Sequence, residues 1–116
     1  RFPEYLGICV DTCHIFAAGY DLRSETAYQH TMAALQRHVD LEQVCFIHLN
    51  DSQKDCGSRV DRHAHIGEGC IGLEGFAHLL NDPRFHHLPM TLETDKGEDL
   101  AEDVLNLHRL RALIRQ

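Results

Sequence analysis

The chain has 116 residues, of which 43% are hydrophobic and 25% charged, and its formal net charge is −7 at pH 7. This length allows one domain or a part of one. The acidic balance argues against a protein that holds nucleic acid by bulk positive charge, unless bound cations change the local sign. No apolar run approaches the length of a membrane span, and no signal-peptide pattern opens the chain.

The histidine and cysteine contents indicate the kind of site and the redox compartment to expect. Ten histidines is a high count for this length. The five cysteines form no Cys-x-x-Cys pair and their number is odd, so we expect a reducing cytoplasm and no disulfide framework. Cys9 and Cys45 lie in apolar runs, and we expect both to be small core residues. The first residue is Arg1 rather than methionine, so we expect the chain to begin within a longer protein.

The first third of the chain predicts a strand and a helix. The apolar run Leu6–Val10 ends at Asp11, which is typical of a strand buried on both faces. Residues 11–14 and 17–21 then predict a loop. Ser24 is a suitable N-cap for an amphipathic helix over Glu25–His38. A polar connector at residues 40–43 follows this helix.

The middle of the chain repeats the order of strand and helix. Val44–Leu49 is a second buried-strand pattern, followed by Asn50 and Asp51. A long polar loop over Ser52–Gly72 comes next, and loops of this length inside compact domains are usually functional. A short helix is predicted over Leu73–Leu80, ended by residues 81–83 (Asn-Asp-Pro).

The last third contains a third strand and a final helix. Leu88–Leu92 predicts the strand, which is followed directly by Glu93. A turn is predicted at Thr94–Gly97 and a helix over Glu98–Ile114. Its apolar stripe consists of Leu100, Val104, Leu107 and Ile114. Three β-α units in succession predict an α/β fold with a parallel sheet and right-handed crossovers.

Residues with metal-ligand chemistry stand at the end of each predicted strand. They are Asp11, His48 and Glu93. Because the carboxyl ends of parallel strands share one edge of the sheet, we expect the three side chains to converge. The loops beyond these strands add His14, Asp61 and His63. A set of carboxylates and imidazoles without cysteine favours zinc, manganese or iron in a hydrolytic site.

The strand-end residues also have ordinary structural roles open to them. Asp11 could be the N-cap of a helix, and His48 could be a hydrogen-bonded histidine of the core. Glu93 could pair with Lys96 or with an arginine across the sheet. These roles would have to apply separately at three strand ends in register. We therefore consider them a weaker hypothesis than a shared metal site.

The loop residues have structural alternatives as well. Asp61-x-His63 in an extended segment directs both side chains to one side, because side chains alternate with period two. Asp61 could instead form a salt bridge with Arg59 or Arg62. His63 and His65 could be solvated, and His65 shares a face with the other two, so its role stays open.

Three motifs, in order, resemble the signatures of the endonuclease IV family of apurinic/apyrimidinic endonucleases. The first comprises residues 7–14 and 17–21, the second residues 48–52, 57–63 and 66–69, and the third residues 92–94. The resemblance runs over nearly the whole chain. It implies that residues 1–116 are the C-terminal three β-α units of one xylose isomerase-like TIM (β/α)8 barrel, whose first five strands are absent here.

The resemblance also implies a metal centre with three zinc ions, in which manganese could replace zinc. His14, Asp61 and His63 would be the protein ligands of one zinc. Asp11, His48 and Glu93 would bind a second zinc and act catalytically through it. The remaining ligands would come from the absent part, so this chain would hold one complete site and part of another.

The implied activity is hydrolysis of the phosphodiester 5′ to abasic sites in double-stranded DNA, as in base excision repair. Arg62 matches the residue that such enzymes insert at the damaged nucleotide, and Arg59 and Lys54 could contact the DNA backbone. We expect a bacterial cytoplasmic protein that binds no membrane and is monomeric at full length. We also expect that this 116-residue piece is neither stable nor active alone, because its sheet edges would be unpaired.

Two other functions remain open from the sequence. A sugar isomerase or epimerase of the same barrel superfamily shares the strand-end Asp, His and Glu with manganese or magnesium. Such an enzyme needs one or two metals, so Asp61 and His63 would be surplus to it. The other alternative is an inactive metal-binding fragment with only a scaffold role.

Overall fold

A computed structural model of the chain describes residues 6–93 and 100–115. The strands are β1 (Ile8–Asp11), β2 (Val44–Leu49), β3 (Asp51–Ser52), β4 (His63–Ala64) and β5 (Met90–Leu92). The helices are α1 (Thr12–Ala17), α2 (Glu25–Gln36), α3 (Gly72–Leu80) and α4 (Ala101–Leu113). Short 3₁₀ turns lie at Leu41–Gln43 and Pro83–Phe85.

Three strands form a parallel sheet in the order β1-β2-β5. In this register Asp11 lies beside His48, and His48 lies beside Thr91. The predicted α/β alternation and the parallel sheet are therefore confirmed. A separate antiparallel pair, β3 with β4, lies inside the long predicted loop.

The core lies between one face of the sheet and the helices. Ile47 and Leu49 of β2 are buried there together with Phe16, Tyr28 and Phe76 from three helices. Burial of these side chains supplies the main stabilising free energy, about 1.5–3 kcal/mol for each large apolar side chain.

The opposite face of the sheet carries exposed side chains. Cys9 and Cys45 are exposed on it, so the prediction that both are core residues is wrong. An apolar run alone does not say which face of a strand the helices cover. All five cysteines are free thiols.

Helix α1 was not predicted. The carboxylate of Asp11 accepts the backbone N–H of His14 at 3.0 Å, so the helix begins directly at the end of β1. Six residues are too few for helical periodicity to be recognised in the sequence. Asp11 is therefore an N-cap, as the structural alternative proposed, and its second oxygen remains available for other contacts.

Helix α2 agrees well with its prediction. The hydroxyl of Ser24 accepts the N–H of Ala27 at 3.1 Å, which is N-cap geometry. The helix ends at Gln36, two residues before the predicted end. Strand β5 begins at Met90 rather than Leu88, since Pro89 has no N–H for a sheet ladder.

Helix α4 presents a different face from the predicted one. The predicted stripe of Leu100, Val104, Leu107 and Ile114 is 42–54% exposed, whereas Asn106 and Leu110 are buried. The stripe prediction is wrong because a buried polar residue, Asn106, marks the packed face. The predicted turn at Thr94–Gly97 and the helix start at Glu98 lie outside the described residues. Within the described ranges, no helix combines the length and apolarity that crossing a bilayer requires.

Candidate metal centre

The ligands predicted at the three strand ends come together in the structure. One donor atom from each of Asp11, His48 and Glu93 lies within 4.8 Å of the other two. The parallel register explains this, because Asp11 lies beside His48 and Glu93 directly follows β5. The ring Nδ1 of His48 contacts Glu93 Oε1 directly. His48 is therefore directed at the carboxylate cluster and is not an isolated core histidine, and Lys96 lies outside the described residues.

A fully buried amide, Asn50, lies behind this cluster. Its Nδ2 donates to Asp11 Oδ2 at 3.2 Å and to Glu93 Oε1 at 3.5 Å. Its Oδ1 accepts the N–H of Glu93 at 2.8 Å. Thr12 Oγ1 holds the Asn50 backbone, accepting its N–H at 2.9 Å and donating to its carbonyl at 2.6 Å. Asn50 thus orients both carboxylates, a role that the sequence analysis missed.

The small antiparallel pair brings the loop residues to the same edge. Ser52 lies opposite His63, and Asp51 lies opposite Ala64. The pairing continues one step further, where the N–H of Gln53 donates to the carbonyl of Arg62 at 2.9 Å. The Gln53 side chain donates to the carbonyl of His63, also at 2.9 Å. The Asp61–His63 segment is therefore held by the chain that leaves β2.

The ring of His63 is fixed in one tautomer. Its Nδ1 donates to the carbonyl of Glu93 at 2.9 Å, which leaves Nε2 free of a proton when the ring is neutral. Nε2 lies 3.5 Å from Asp61 Oδ1 and 3.8 Å from Asp11 Oδ2. Metal-binding histidines commonly use such a backbone contact to aim the other ring nitrogen at the ion.

The neighbours of Asp61 differ in part from the predicted ligand set. His14 Nδ1 lies 3.3 Å from Asp61 Oδ2, on an exposed side chain. The group whose donor atoms all lie within 4.8 Å of one another is Cys13, Asp61 and His63. The buried thiol of Cys13 also donates to the Arg62 carbonyl at 3.5 Å. Cys13 was not predicted here, because nothing in the sequence indicates that its side chain faces this loop.

Electrostatics around Asp61 favour its ionised form. Burial opposes ionisation, but hydrogen bonds from Cys13 and His14, with the charge of His63, outweigh it and lower the pKa of Asp61. Burial, followed by the hydrogen bond to Asp61, raises the pKa of Cys13 to about 12. In this arrangement Asp61 is an anion and Cys13 a neutral thiol.

The predicted DNA-contact residues lie at the surface. Lys54, Arg59 and Arg62 are all exposed, and none forms an ion pair with a described residue. The alternative pairing of Asp61 with Arg59 or Arg62 is therefore absent from the described part of the chain. Arg59 has φ 65°, a left-handed conformation that is uncommon for a residue with a side chain and often marks a functional loop.

His65 does not join the donor groups. Its Nδ1 accepts from Asn106 Nδ2 at 3.1 Å, so the ring is directed at α4. The open question about His65 is thus answered by a structural contact.

The two donor groups fit divalent metal ions. Ligand atoms about 2.0–2.2 Å from one zinc lie less than about 4.4 Å apart. The 4.8 Å span of each group requires only a small contraction to reach that separation. Carboxylate oxygens with imidazole nitrogens are donors that zinc and manganese accept.

Comparison with known proteins gives consistent matches over nearly the whole chain. The family model of the xylose isomerase-like TIM barrel matches residues 2–112. A probable endonuclease 4 of Chloroflexus aggregans is 66% identical over 114 residues, which is 98% of this chain and 40% of that protein. A probable endonuclease 4 of Geobacter sulfurreducens is 49% identical over 115 residues, which is 99% of this chain and 39% of that protein.

A solved structure agrees with these relatives. The crystal structure of endonuclease IV from Thermus thermophilus superposes with a TM-score of 0.81 at 45% identity. The match covers 93% of this chain and 38% of that one. The chain therefore spans about 40% of the length of the curated relatives it matches.

Proposed function

The chain belongs to the endonuclease IV family and forms three β-α units of its TIM barrel, and on that premise we propose that it is the C-terminal part of a zinc-dependent endonuclease. Within a longer chain it hydrolyses the phosphodiester 5′ to abasic sites in double-stranded DNA. The P–O bond to the 3′-oxygen breaks, leaving a 3′-hydroxyl and a 5′-deoxyribose phosphate. Residues 1–116 belong to a single domain of that protein.

The observation that carries this proposal is the presence of two donor groups at one edge of the sheet. Asp11, His48 and Glu93 would hold one zinc, and they would act on the reaction through it. Asp61 and His63 would hold a second zinc. His14, whose Nδ1 lies 3.3 Å from Asp61 Oδ2, would be its third ligand in place of the neutral thiol of Cys13, and manganese could replace the zinc. Bound divalent metals polarise phosphoryl oxygens and neutralise the charge that develops on them.

The chain's own side chains prepare the site for this chemistry. Asn50 fixes Asp11 and Glu93, so that two carboxylates face the cluster without moving apart. The Glu93 carbonyl orients His63 with Nε2 toward both Asp61 and Asp11. A preorganised set of this kind loses little free energy to rearrangement when phosphate enters.

Three exposed cations would meet the DNA. Arg62 lies between the two loop ligands in sequence, and its backbone is held by Gln53 and Cys13 while its side chain is exposed. We assign it to the damaged nucleotide, and Arg59 and Lys54 to phosphate contacts. Bound metal ions would offset the acidic net charge where the phosphate lies.

The two alternatives differ in what they require. A sugar isomerase or epimerase would use the strand-end group but has no need for Asp61 and His63, which lie 3.5 Å apart. An inactive metal-binding fragment would bind metal without cleaving DNA. The proposal also includes a bacterial cytoplasmic location, action as a monomer at full length, and inactivity of the 116-residue piece alone.

One experiment separates these functions. The full-length protein is analysed for bound metals and tested for nicking of an oligonucleotide duplex with one abasic site. The variant His63→Ala should lose one zinc per chain and most nicking activity, because it removes the nitrogen that faces both carboxylates. His87→Ala, at an exposed histidine before β5, is the matched control and should change neither. Unchanged zinc content in His63→Ala would contradict the assignment.

A further inference from the structure

The carboxylate of Asp51 is fully buried and belongs to neither donor group. It stands at the start of the β3–β4 pair and is 0% exposed. It accepts the backbone N–H groups of Ser52, Gly67, Gly69, Ile71 and Gly72. These five contacts measure 2.8–3.2 Å. Among the described residues, no lysine or arginine pairs with it, so backbone dipoles alone balance its charge.

The glycine-rich segment 67–72 is shaped around this carboxylate. Gly67 has φ 84° and Gly72 has φ 78°, conformations that turn successive N–H groups inward. A Cβ at Gly69 would lie 2.6 Å from Asp51 Oδ1 and 2.4 Å from the carbonyl of Ser52. The glycine is therefore required for the close approach. The conformation of segment 67–72 therefore depends on a negatively charged acceptor at position 51.

The loop that Asp51 closes carries the ligand candidates Asp61 and His63. Asp61 and His63 precede the wrapped segment, and His63 lies opposite Ser52 in the antiparallel pair. On the far side of the segment, the N–H of Cys70 donates to the same Ser52 carbonyl at 2.7 Å. The loop therefore begins at Ser52, contains Asp61 and His63, and comes back to Ser52 through the contact of Cys70. Asp51 fixes the return, and so limits how far His63 can move.

We propose that Asp51 is a positioning residue for the Asp61–His63 metal-ligand pair. The inference rests on the proposed function, since it concerns the same metal centre. Asp51 touches neither ligand side chain, and it acts through the backbone of the segment 67–72. Charge-assisted hydrogen bonds to N–H groups are about twice as strong as neutral ones, so an amide at this position would not replace the carboxylate.

The variant Asp51→Asn keeps the side-chain size and removes this function. One acceptor oxygen becomes an NH₂ group that faces backbone N–H groups, and several buried donors lose their partner. Supporting residues of metal sites typically change metal affinity about 10–100-fold. We expect one zinc site of the full-length protein to weaken by about this factor and the other sites to keep their affinity.

Asp82→Asn is a matched structural control. Asp82 is also buried, at 6% exposure, and it accepts hydrogen bonds from Tyr28 Oη at 2.6 Å and Arg84 Nη2 at 2.8 Å. No described contact joins it to either donor group. It should lower the melting temperature to a similar degree and leave metal binding unchanged, which separates positioning from general destabilisation.

The experiment compares four full-length proteins: wild type, Asp51→Asn, Asp82→Asn and His63→Ala. Zinc stoichiometry and affinity are measured by titration against a chelator, and Co²⁺ absorption spectra report ligand geometry. The expected result is one weakened site in Asp51→Asn, an altered cobalt spectrum, and neither change in Asp82→Asn. Should Asp51→Asn fail to fold, Gly69→Ala replaces it, because its Cβ displaces the same contact.

The outcomes are distinct for the two proposals. If His63→Ala loses one zinc while Asp51→Asn and Gly69→Ala bind zinc as wild type does, the positioning role is overturned and the proposed function stands. If His63→Ala keeps every zinc, the metal-binding role of the loop fails, and the positioning role fails with it. If Asp51→Asn and Asp82→Asn lose zinc equally, the effect follows stability alone and the positioning role is again overturned.

Discussion

The variant Asn50→Ala tests whether the strand-end carboxylates are oriented by the buried amide behind them. In the structure Asn50 is fully buried and makes three side-chain contacts, two to carboxylate oxygens and one to the N–H of Glu93. The substitution removes all three contacts and leaves the backbone of residue 50 on Thr12.

The loss in the free energy of unfolding follows from which groups remain unpaired. The side chains of Asp11 and Glu93 are 23% and 44% exposed, so water can replace the amide N–H at both carboxylates. The Glu93 N–H loses its 2.8 Å acceptor and is the costly group. An unsatisfied donor costs about 1–3 kcal/mol, and we expect destabilisation of that size. Loss of orientation should also weaken zinc at the strand-end group about 10–100-fold.

The assay is a zinc titration of the full-length protein against a chelator, with melting temperature measured in parallel. Asn81→Ala is the matched control, because Asn81 also makes three side-chain contacts, to Ala77, Leu113 and Arg115 at 2.7–2.9 Å. It should lower the melting temperature and leave zinc affinity unchanged. Wild-type zinc affinity at every site in Asn50→Ala would refute the reasoning.

The remaining predictions concern DNA contacts and pH. Arg62→Ala should keep its zinc and weaken binding to abasic duplex more than to intact duplex, whereas Lys54→Ala should weaken both equally and lower the salt slope by about 0.9. Filter-binding titrations over a range of salt concentrations check both predictions. If Arg62→Ala, like Lys54→Ala, weakens binding to abasic and intact duplex equally, the assignment of Arg62 to the damaged nucleotide is wrong. Burial opposes ionisation of Asp82, but hydrogen bonds from Arg84 and Tyr28 outweigh it and lower its pKa below 3.8. Because the folded-state pKa is depressed, the stability that this carboxylate contributes is present above about pH 4 and is lost as pH falls through the folded value. The difference in urea midpoint between wild type and Asp82→Asn should therefore be constant near neutral pH and shrink on acidification below about pH 4. A difference that stays constant down to about pH 2 would contradict this linkage.

The sequence predicted the features that depend on local pattern. Val44–Leu49 was bounded correctly because a short apolar run ending in polar residues has few other structural solutions. The convergence of Asp11, His48 and Glu93 followed from one rule, that parallel strands share a carboxyl edge. Ser24 was found as a cap because the hydroxyl-to-N3 contact involves only neighbouring residues.

The features that the sequence did not predict depend on contacts between distant parts of the chain. Asn50 and Asp51 look like ordinary polar residues after a strand, and only the folded chain shows one meeting Glu93 and the other meeting Gly67–Gly72. Helix α4 has apolar residues on more than one side. Hydrophobic periodicity therefore predicted as buried a stripe of residues that is exposed in the structure. Its packed face is marked by Asn106, whose Oδ1 accepts the Ile66 N–H at 2.9 Å.

The positions of these buried polar groups explain how one small hairpin can serve a metal centre. His63 must face Asp11 on β1 and Asp61 on its own segment, within 3.5–3.8 Å of each. The sheet supplies the first constraint through Glu93, whose carbonyl accepts from the His63 ring. The loop supplies the second through Asp51 and its five backbone donors. Each constraint comes from a fully buried polar residue, Asn50 for the sheet and Asp51 for the loop, and the two are adjacent in sequence. Since one short segment after β2 fixes both donor groups, we expect substitutions there to alter metal binding more than equally buried polar substitutions elsewhere in the chain.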